Sequence, residues 1–161
     1  MGCCGTAHAS AGTACTDNGG LVCNGSGSCV GVGLGQTCSV DSNCLSNACD
    51  ATTLKCVANQ CADHRQDGTE TDADCGGNSC PACATSKKCL GDNDCTSMAC
   101  DANSLTCVTN QCADHRLDGN ESDVDCGGGT CPMCATGQLC NSYRDCPVGR
   151  TCNTSTPRRC N

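Results

Sequence analysis

The large apolar side chains of this sequence are scattered and never fall into a helical rhythm. Leu21, Val30, Leu45, Leu54, Val57, Leu105 and Val108 sit among polar residues, glycine and cysteine. An amphipathic helix needs apolar positions recurring at i, i+3, i+4 and i+7. No stretch sustains that period long enough for a helix. Two segments do alternate in the manner of strands: LKCVA (Leu54–Ala58) and LTCVT (Leu105–Thr109) combine β-formers with polar neighbours. Asp67-Gly68, Asp118-Gly119, Gly76-Gly77 and Gly127-Gly128 read as turns. The pattern predicts mostly loops with short β-hairpins.

What the apolar pattern lacks, the cysteines supply. The segment Asn59–Cys83, NQCADHRQDGTETDADCGGNSCPAC, returns at Asn110–Cys134 as NQCADHRLDGNESDVDCGGGTCPMC, and Cys61 and Cys112 are 51 positions apart. A fixed period marks one structural unit copied along the chain. It divides the sequence into an atypical N-terminal module over 1–60 and cysteine-rich repeats over 61–111 and 112–161. Each full unit has an acidic half spaced C-x13-C-x4-C-x2-C and a second half spaced C-x5-C-x4-C-x6-C, stretched near the end of the chain. The first module matches only in its second half: Cys38–Cys61 aligns without gaps to Cys89–Cys112. An atypical terminal repeat is what a cap, or a cut inside an array, looks like.

Composition sharpens this picture. The chain has 161 residues and 25 cysteines, with one Tyr and no Trp or Phe. Units of about 50 residues are near the size at which an apolar core alone fails. Covalent links must replace that core, each adding ~2–4 kcal/mol by restricting the unfolded chain. The fold class expected is small and disulfide-rich: tandem cysteine-rich modules forming an extended array. So many cysteines imply an oxidising compartment, hence an extracellular or cell-surface location. Residues 1–30 hold no apolar run of a secretory leader, so a mature form or a fragment is expected. No stretch approaches the ~20 apolar residues of a membrane span. The formal charge of -8 and the dispersed basic residues argue against nucleic acid, which needs clustered Lys and Arg.

Eight cysteines in a unit allow 105 connectivities. A first-to-third, second-to-fourth pattern is expected in each half, because Cys80 and Cys83 flank a Pro-restricted turn and each more readily reaches a distant partner. It pairs Cys61-Cys80, Cys75-Cys83, Cys89-Cys100, Cys95-Cys107, Cys112-Cys131, Cys126-Cys134, Cys140-Cys152 and Cys146-Cys160. The rival is a local Cys80–Cys83 bridge. Of the 25 cysteines one must be left over, and the nine in the first module place it there. Cys3 or Cys4 could then join two copies. Read as zinc or redox motifs, the CPxC pairs would need reduced thiols, which this cysteine density disfavours.

Five carboxylates recur in each acidic half: Asp63, Asp67, Glu70, Asp72 and Asp74, then Asp114, Asp118, Glu121, Asp123 and Asp125. They are hard oxygen donors, and together with the glycine turn they form a candidate calcium loop, although the spacing is not that of an EF-hand. The bland alternative is turn-forming and solubilising charge. His64 and His115 precede Arg65 and Arg116 and are expected to be surface loop residues with local hydrogen bonds. No Ser/His/Asp or Cys/His set offers catalytic roles, so no enzymatic activity is expected. Met1-Gly2-Cys3-Cys4 matches a myristoylation pattern, but that cytosolic address contradicts the cysteine content. Asn24, Asn120 and Asn153 head sequons for N-glycans. A glycan on Asn120 would compete with calcium for space.

The string D-G-x-E-[TS]-D-x-D-C-G-G-x-x-C-P-x-C-A-T-x-x-x-C-x4-D-C resembles a cysteine-rich repeat of very large secreted or surface proteins, among them algal mastigoneme proteins. The resemblance covers Cys61–Cys146 well and Cys38–Gln60 in part. The second half, GQLCNSYRDCPVGRTC, is similar to small EGF-like and colipase-like modules. The resemblance implies a non-enzymatic structural glycoprotein of an extracellular filament or surface coat. Its partners would be further copies of itself or other extracellular glycoproteins. A ligand-binding or adhesive cysteine-rich ectodomain is the alternative. In an array of this kind, hinges are expected near Ala58-Asn59 and Thr109-Asn110. Contacts are expected between residues 1–37 of one copy and the region after Cys140 of the next.

Overall fold

The structure, a computed structural model, describes residues 10–15 and 21–161. Cys3, Cys4, His8 and the myristoylation-like start lie outside the described residues, as does part of the expected 1–37 contact surface. Contacts divide the chain into two compact units, Met1–Pro81 and Ala82–Asn161. The division falls inside the first CPxC sequence: the first unit holds the Cys38–Cys56 half and most of the acidic half after it, and the second holds the Cys89–Cys107 half, the next acidic half and the last half. That grouping is offset from the 61–111 and 112–161 boundaries suggested by the repeat.

Among the described residues, regular structure is minimal. One hairpin pairs β1 (Val22–Cys23) with β2 (Cys29–Val30), in register Val22 to Val30. Five single-turn 3-10 segments follow: Asp41–Asn43, Gln60–Ala62, Asp92–Asp94, Gln111–Ala113 and Tyr143–Asp145. The strands expected at Leu54–Ala58 and Leu105–Thr109 are reduced to isolated bridges. Lys55 pairs with Thr37 and Cys56 with Cys49; Thr106 pairs with Lys88 and Cys107 with Cys100. The cause lies at their first residues, since Leu54 and Leu105 sit at φ +52° and +53° and break the extended backbone.

The core is made of sulfur. Among the described residues, the buried apolar ones are all cysteines except Ala48 and Ala99, whereas Leu34, Leu45, Leu90, Val148 and other large apolar side chains are exposed. Twenty-two of the described cysteines are disulfide-bonded. In the second-type half, two disulfides cross: Cys38–Cys49 with Cys44–Cys56, Cys89–Cys100 with Cys95–Cys107, and Cys140–Cys152 with Cys146–Cys160. In the acidic halves, Cys61 bonds Cys80, Cys112 bonds Cys131 and Cys126 bonds Cys134. Cys80 and Cys131 are therefore each tied to a cysteine 19 residues upstream, not to the cysteine across the adjacent proline. Cys15–Cys29 closes the N-terminal hairpin region.

Each crossed pair encloses one 3-10 turn, capped by the side chain at its third position. Asn43 Oδ1 accepts from the Ser39 and Val40 N–H groups, Asp94 Oδ2 from Leu90 and Gly91, and Asp145 Oδ2 from Asn141 and Ser142. Such caps satisfy backbone donors that a single turn cannot. The second glycine of each Gly-Gly pair serves close approach. A Cβ on Gly77 (φ +68°) would lie 1.6 Å from the Thr69 carbonyl oxygen, and one on Gly128 (φ +65°) 1.7 Å from that of Asn120. Only glycine fits there.

Candidate functional site

The ADHR sequence of each acidic half is a clamp onto the preceding half. In the first unit, His64 Nδ1 meets Asp50 Oδ2 at 2.6 Å, the Arg65 Nε–H donates to the Cys49 carbonyl (3.1 Å), and the Ala51 N–H donates to the Asp63 carbonyl (2.7 Å). The second unit repeats this with His115 on Asp101, Arg116 on the Cys100 carbonyl (2.9 Å) and Ala102 on Asp114 (2.7 Å). The histidine rings are exposed, as expected, but their partners lie 14 residues away rather than nearby. These bonds span Ala58-Asn59 and Thr109-Asn110, so the expected hinges are tied across. The Asp50 and Asp101 carboxylates hold the His64 and His115 imidazoles above their ordinary pKa. Asp50 and Asp101 fall well below the usual carboxylate range. The backbone N–H of Thr53 is the largest cause for the first and that of Ser104 for the second, with the histidines contributing to both.

The same clamp gathers carboxylates. Asp41, from the preceding half, accepts the Cys49 N–H through Oδ1 (2.9 Å), Asp63 Oδ1 accepts that of Arg65 (2.9 Å), and Asp74 Oδ1 accepts that of His64 (2.9 Å). Cys49, His64 and Arg65 are themselves joined by the clamp, so three carboxylates are fixed around one point. In the second unit Asp92, Asp114 and Asp125 accept from Cys100, Arg116 and His115 in the same way. Asp63 and Asp114 are fully buried. Their Oδ2 atoms, and Oδ1 of Asp67 and Asp118, are shut from solvent with no hydrogen-bond partner. Burial pushes the Asp63 and Asp114 carboxyls up; the N–H groups of Arg65 and Arg116 oppose it, while the nearby carboxylates reinforce it. Those carboxylates are Asp67, Asp41 and Asp74 for Asp63, and Asp118, Asp92 and Asp125 for Asp114.

The structure thus sorts the candidate calcium residues. Asp63, Asp67 and Asp74 are brought together, as are Asp114, Asp118 and Asp125. Glu70 accepts the Asp67 and Asp74 N–H groups, and Glu121 accepts that of Asp125; burial raises the Glu121 carboxyl and the nearby Asp125 and Asp118 charges reinforce it. Asp123 accepts the N–H groups of Val124 and Leu139, and Asp72 that of Ala73. Asp41 and Asp92, outside the acidic halves, are the contributors that sequence reasoning missed. The only signal was their shared place in C-x2-D, before an acidic half. Of the glycan candidates, Asn24 and Asn120 are exposed and Asn153 is half-buried. No protein-family model matches this chain, and neither a curated protein nor a solved structure shows significant similarity to it.

Proposed function

We propose that this chain is a structural segment of an extracellular filament or surface coat, carrying N-glycans and working without enzymatic activity. The observation that supports this most is the repetition of the ADHR clamp at two junctions. A spacing held by hydrogen bonds that recur with the sequence period suits a protein whose task is to keep distance and direction. The disulfide-bonded core belongs to an oxidising compartment, and among the described residues no helix is long and apolar enough to cross a membrane. The resemblance to mastigoneme-like cysteine-rich repeats points the same way. In this reading the N-terminal region of one copy meets the region after Cys140 of the next, and contacts that do not close generate filaments.

One feature favours an adhesive or ligand-binding ectodomain instead. Tyr143, Met133 and Val148 are exposed around a shallow cleft of about 330 Å³ with Arg144 and Pro147, and exposed Tyr and Arg are favoured anchors of binding sites. Electron microscopy of the purified, oxidised protein separates the two. Ordered filaments support the structural role; dispersed particles at all concentrations, with binding lost in a Tyr143→Ala variant, support the ectodomain.

A further inference from the structure

Arg116 lies near enough to Asp118 to lower its carboxyl, and His64 and His115 feel the charges of Asp63 and Asp114, yet no cation hydrogen-bonds the buried carboxylate oxygens. A buried carboxylate oxygen without a partner carries a large desolvation cost. Here that cost recurs at the same two positions of both units, on Asp63 with Asp67 and on Asp114 with Asp118. The feature thus belongs to the repeated motif, ADHR followed by Asp-Gly, which both units share. We infer that each junction is a calcium site, held by Asp41, Asp63, Asp67 and Asp74 in the first unit and by Asp92, Asp114, Asp118 and Asp125 in the second.

The donor set selects the ion. All eight side chains are carboxylates, hard oxygen donors that suit Ca2+ and leave zinc without its preferred nitrogen or sulfur ligands. The cysteines nearby are in disulfides and offer no thiolate: Cys49 is bonded to Cys38 and Cys100 to Cys89. Backbone N–H groups anchor one oxygen each of Asp41, Asp63 and Asp74, which fixes the carboxylates before an ion arrives. The ligands also come from two halves. Asp41 and Asp92 belong to the disulfide-crossed half and the other three to the acidic half, so a bound ion fastens the junction that the ADHR clamp spans. This conclusion is independent of whether the chain forms filaments. One rival filling exists: a proton shared between Asp63 and Asp67, and likewise between Asp114 and Asp118.

The test is equilibrium dialysis of the full, oxidised chain, stripped with chelator, against calcium chloride over roughly 0.1–10 mM, the range of extracellular calcium modules. Two ions per chain are expected. Asp67→Asn and Asp118→Asn should each retain one, and the double variant none. Each single variant keeps the other site as an internal control for folding, and disulfide mapping checks the changed one. Magnesium chloride at the same concentrations should not compete, because Mg2+ sheds its waters reluctantly. Absence of uptake by the native chain would overturn the inference, as would undiminished uptake by the Asn variants. So would a carbon-13 signal showing Asp63 still protonated at neutral pH in saturating calcium.

Discussion

Replacing Asp145 by alanine should loosen the last crossed-disulfide half more than any single surface change. Its Oδ2 accepts from the Ser122 hydroxyl and from the Asn141 and Ser142 N–H groups, each at 2.8 Å; its Oδ1 accepts from Gly128 at 3.1 Å. A hydrogen bond to a charged group contributes about 1.5–3 kcal/mol, and much of that returns if water can replace the acceptor. Asn141 is exposed and Ser142 half-buried, so those donors regain water. Ser122 is buried, whereas Gly128, like Ser142, is half-buried, so the Ser122 bond alone sets a loss of roughly 1.5–3 kcal/mol. For a unit of this size even the lower figure corresponds to roughly 6–12 °C in melting temperature. Asp145→Asn should cost less. Asn43 already performs the capping task in the first module, but an amide cannot also accept from Gly128. The acid limb supplies a second signature. Burial raises the Asp145 carboxyl, yet its donors, led by the Ser142 N–H and the Ser122 hydroxyl, bring it below its ordinary value. A group depressed in the fold stabilises above its unfolded pKa, about 3.9 for Asp, and loses that contribution as pH falls through the folded value. Calorimetry between about pH 2 and 6 should show the native chain losing stability over this window and Asp145→Ala losing less. Amide exchange should speed at Gly128 and Ser142. Equal melting temperatures, with unchanged protection at both amides, would refute this account.

Gly128→Ala should prevent native oxidation, since its Cβ would collide with the Asn120 carbonyl, whereas Gly91→Ala, at an extended φ of -161°, meets no atom within 4 Å. The yield of correctly mapped disulfides after refolding compares the two, and equal yields would contradict the close approach. Partial reduction and mass mapping should return Cys61–Cys80 and Cys112–Cys131, and recovery of Cys80–Cys83 would refute the pairing. Thiol counting on denatured, unreduced protein should find a single thiol per monomer, because 25 is odd, or none where non-reducing gels show a dimer.

Cysteine spacing made the fold class legible because the sulfur atoms themselves are the core. Half-units with the same spacing then close in the same way, as Cys38–Cys49 and Cys89–Cys100 do. The carboxylate junction was legible only in part. Asp63, Asp67 and Asp74 stand close in sequence, and their charges could be read as one loop. Asp41 lies in the other half, and its placement depends on the Cys49 N–H and the Arg65 contact, which no local pattern encodes. Glu70 and Asp123 look equivalent to the gathered carboxylates by composition, yet neither is among the charges that act on buried Asp63 or Asp114. His64 and His115 were read as local because a lone histidine carries no sign of a partner 14 residues upstream. The strands at Leu54 and Leu105 failed for a backbone reason, since propensity does not report a left-handed leucine.

A core built from cystine changes how the protein answers heat and denaturant. Unfolding normally exposes apolar surface, and the hydration of that surface gives a large positive heat-capacity change and a steep response to urea or guanidinium. Among the described residues most large apolar side chains are already exposed or half-exposed, and the interior is cystine, two alanines and nine buried polar or charged side chains. The heat-capacity increment should be small, the stability curve broad and shallow, and the denaturant dependence weak. Endurance then depends less on temperature than on electron supply. The protein should tolerate harsh solvents while its surroundings stay oxidising, and a reductant should dismantle it where heat does not.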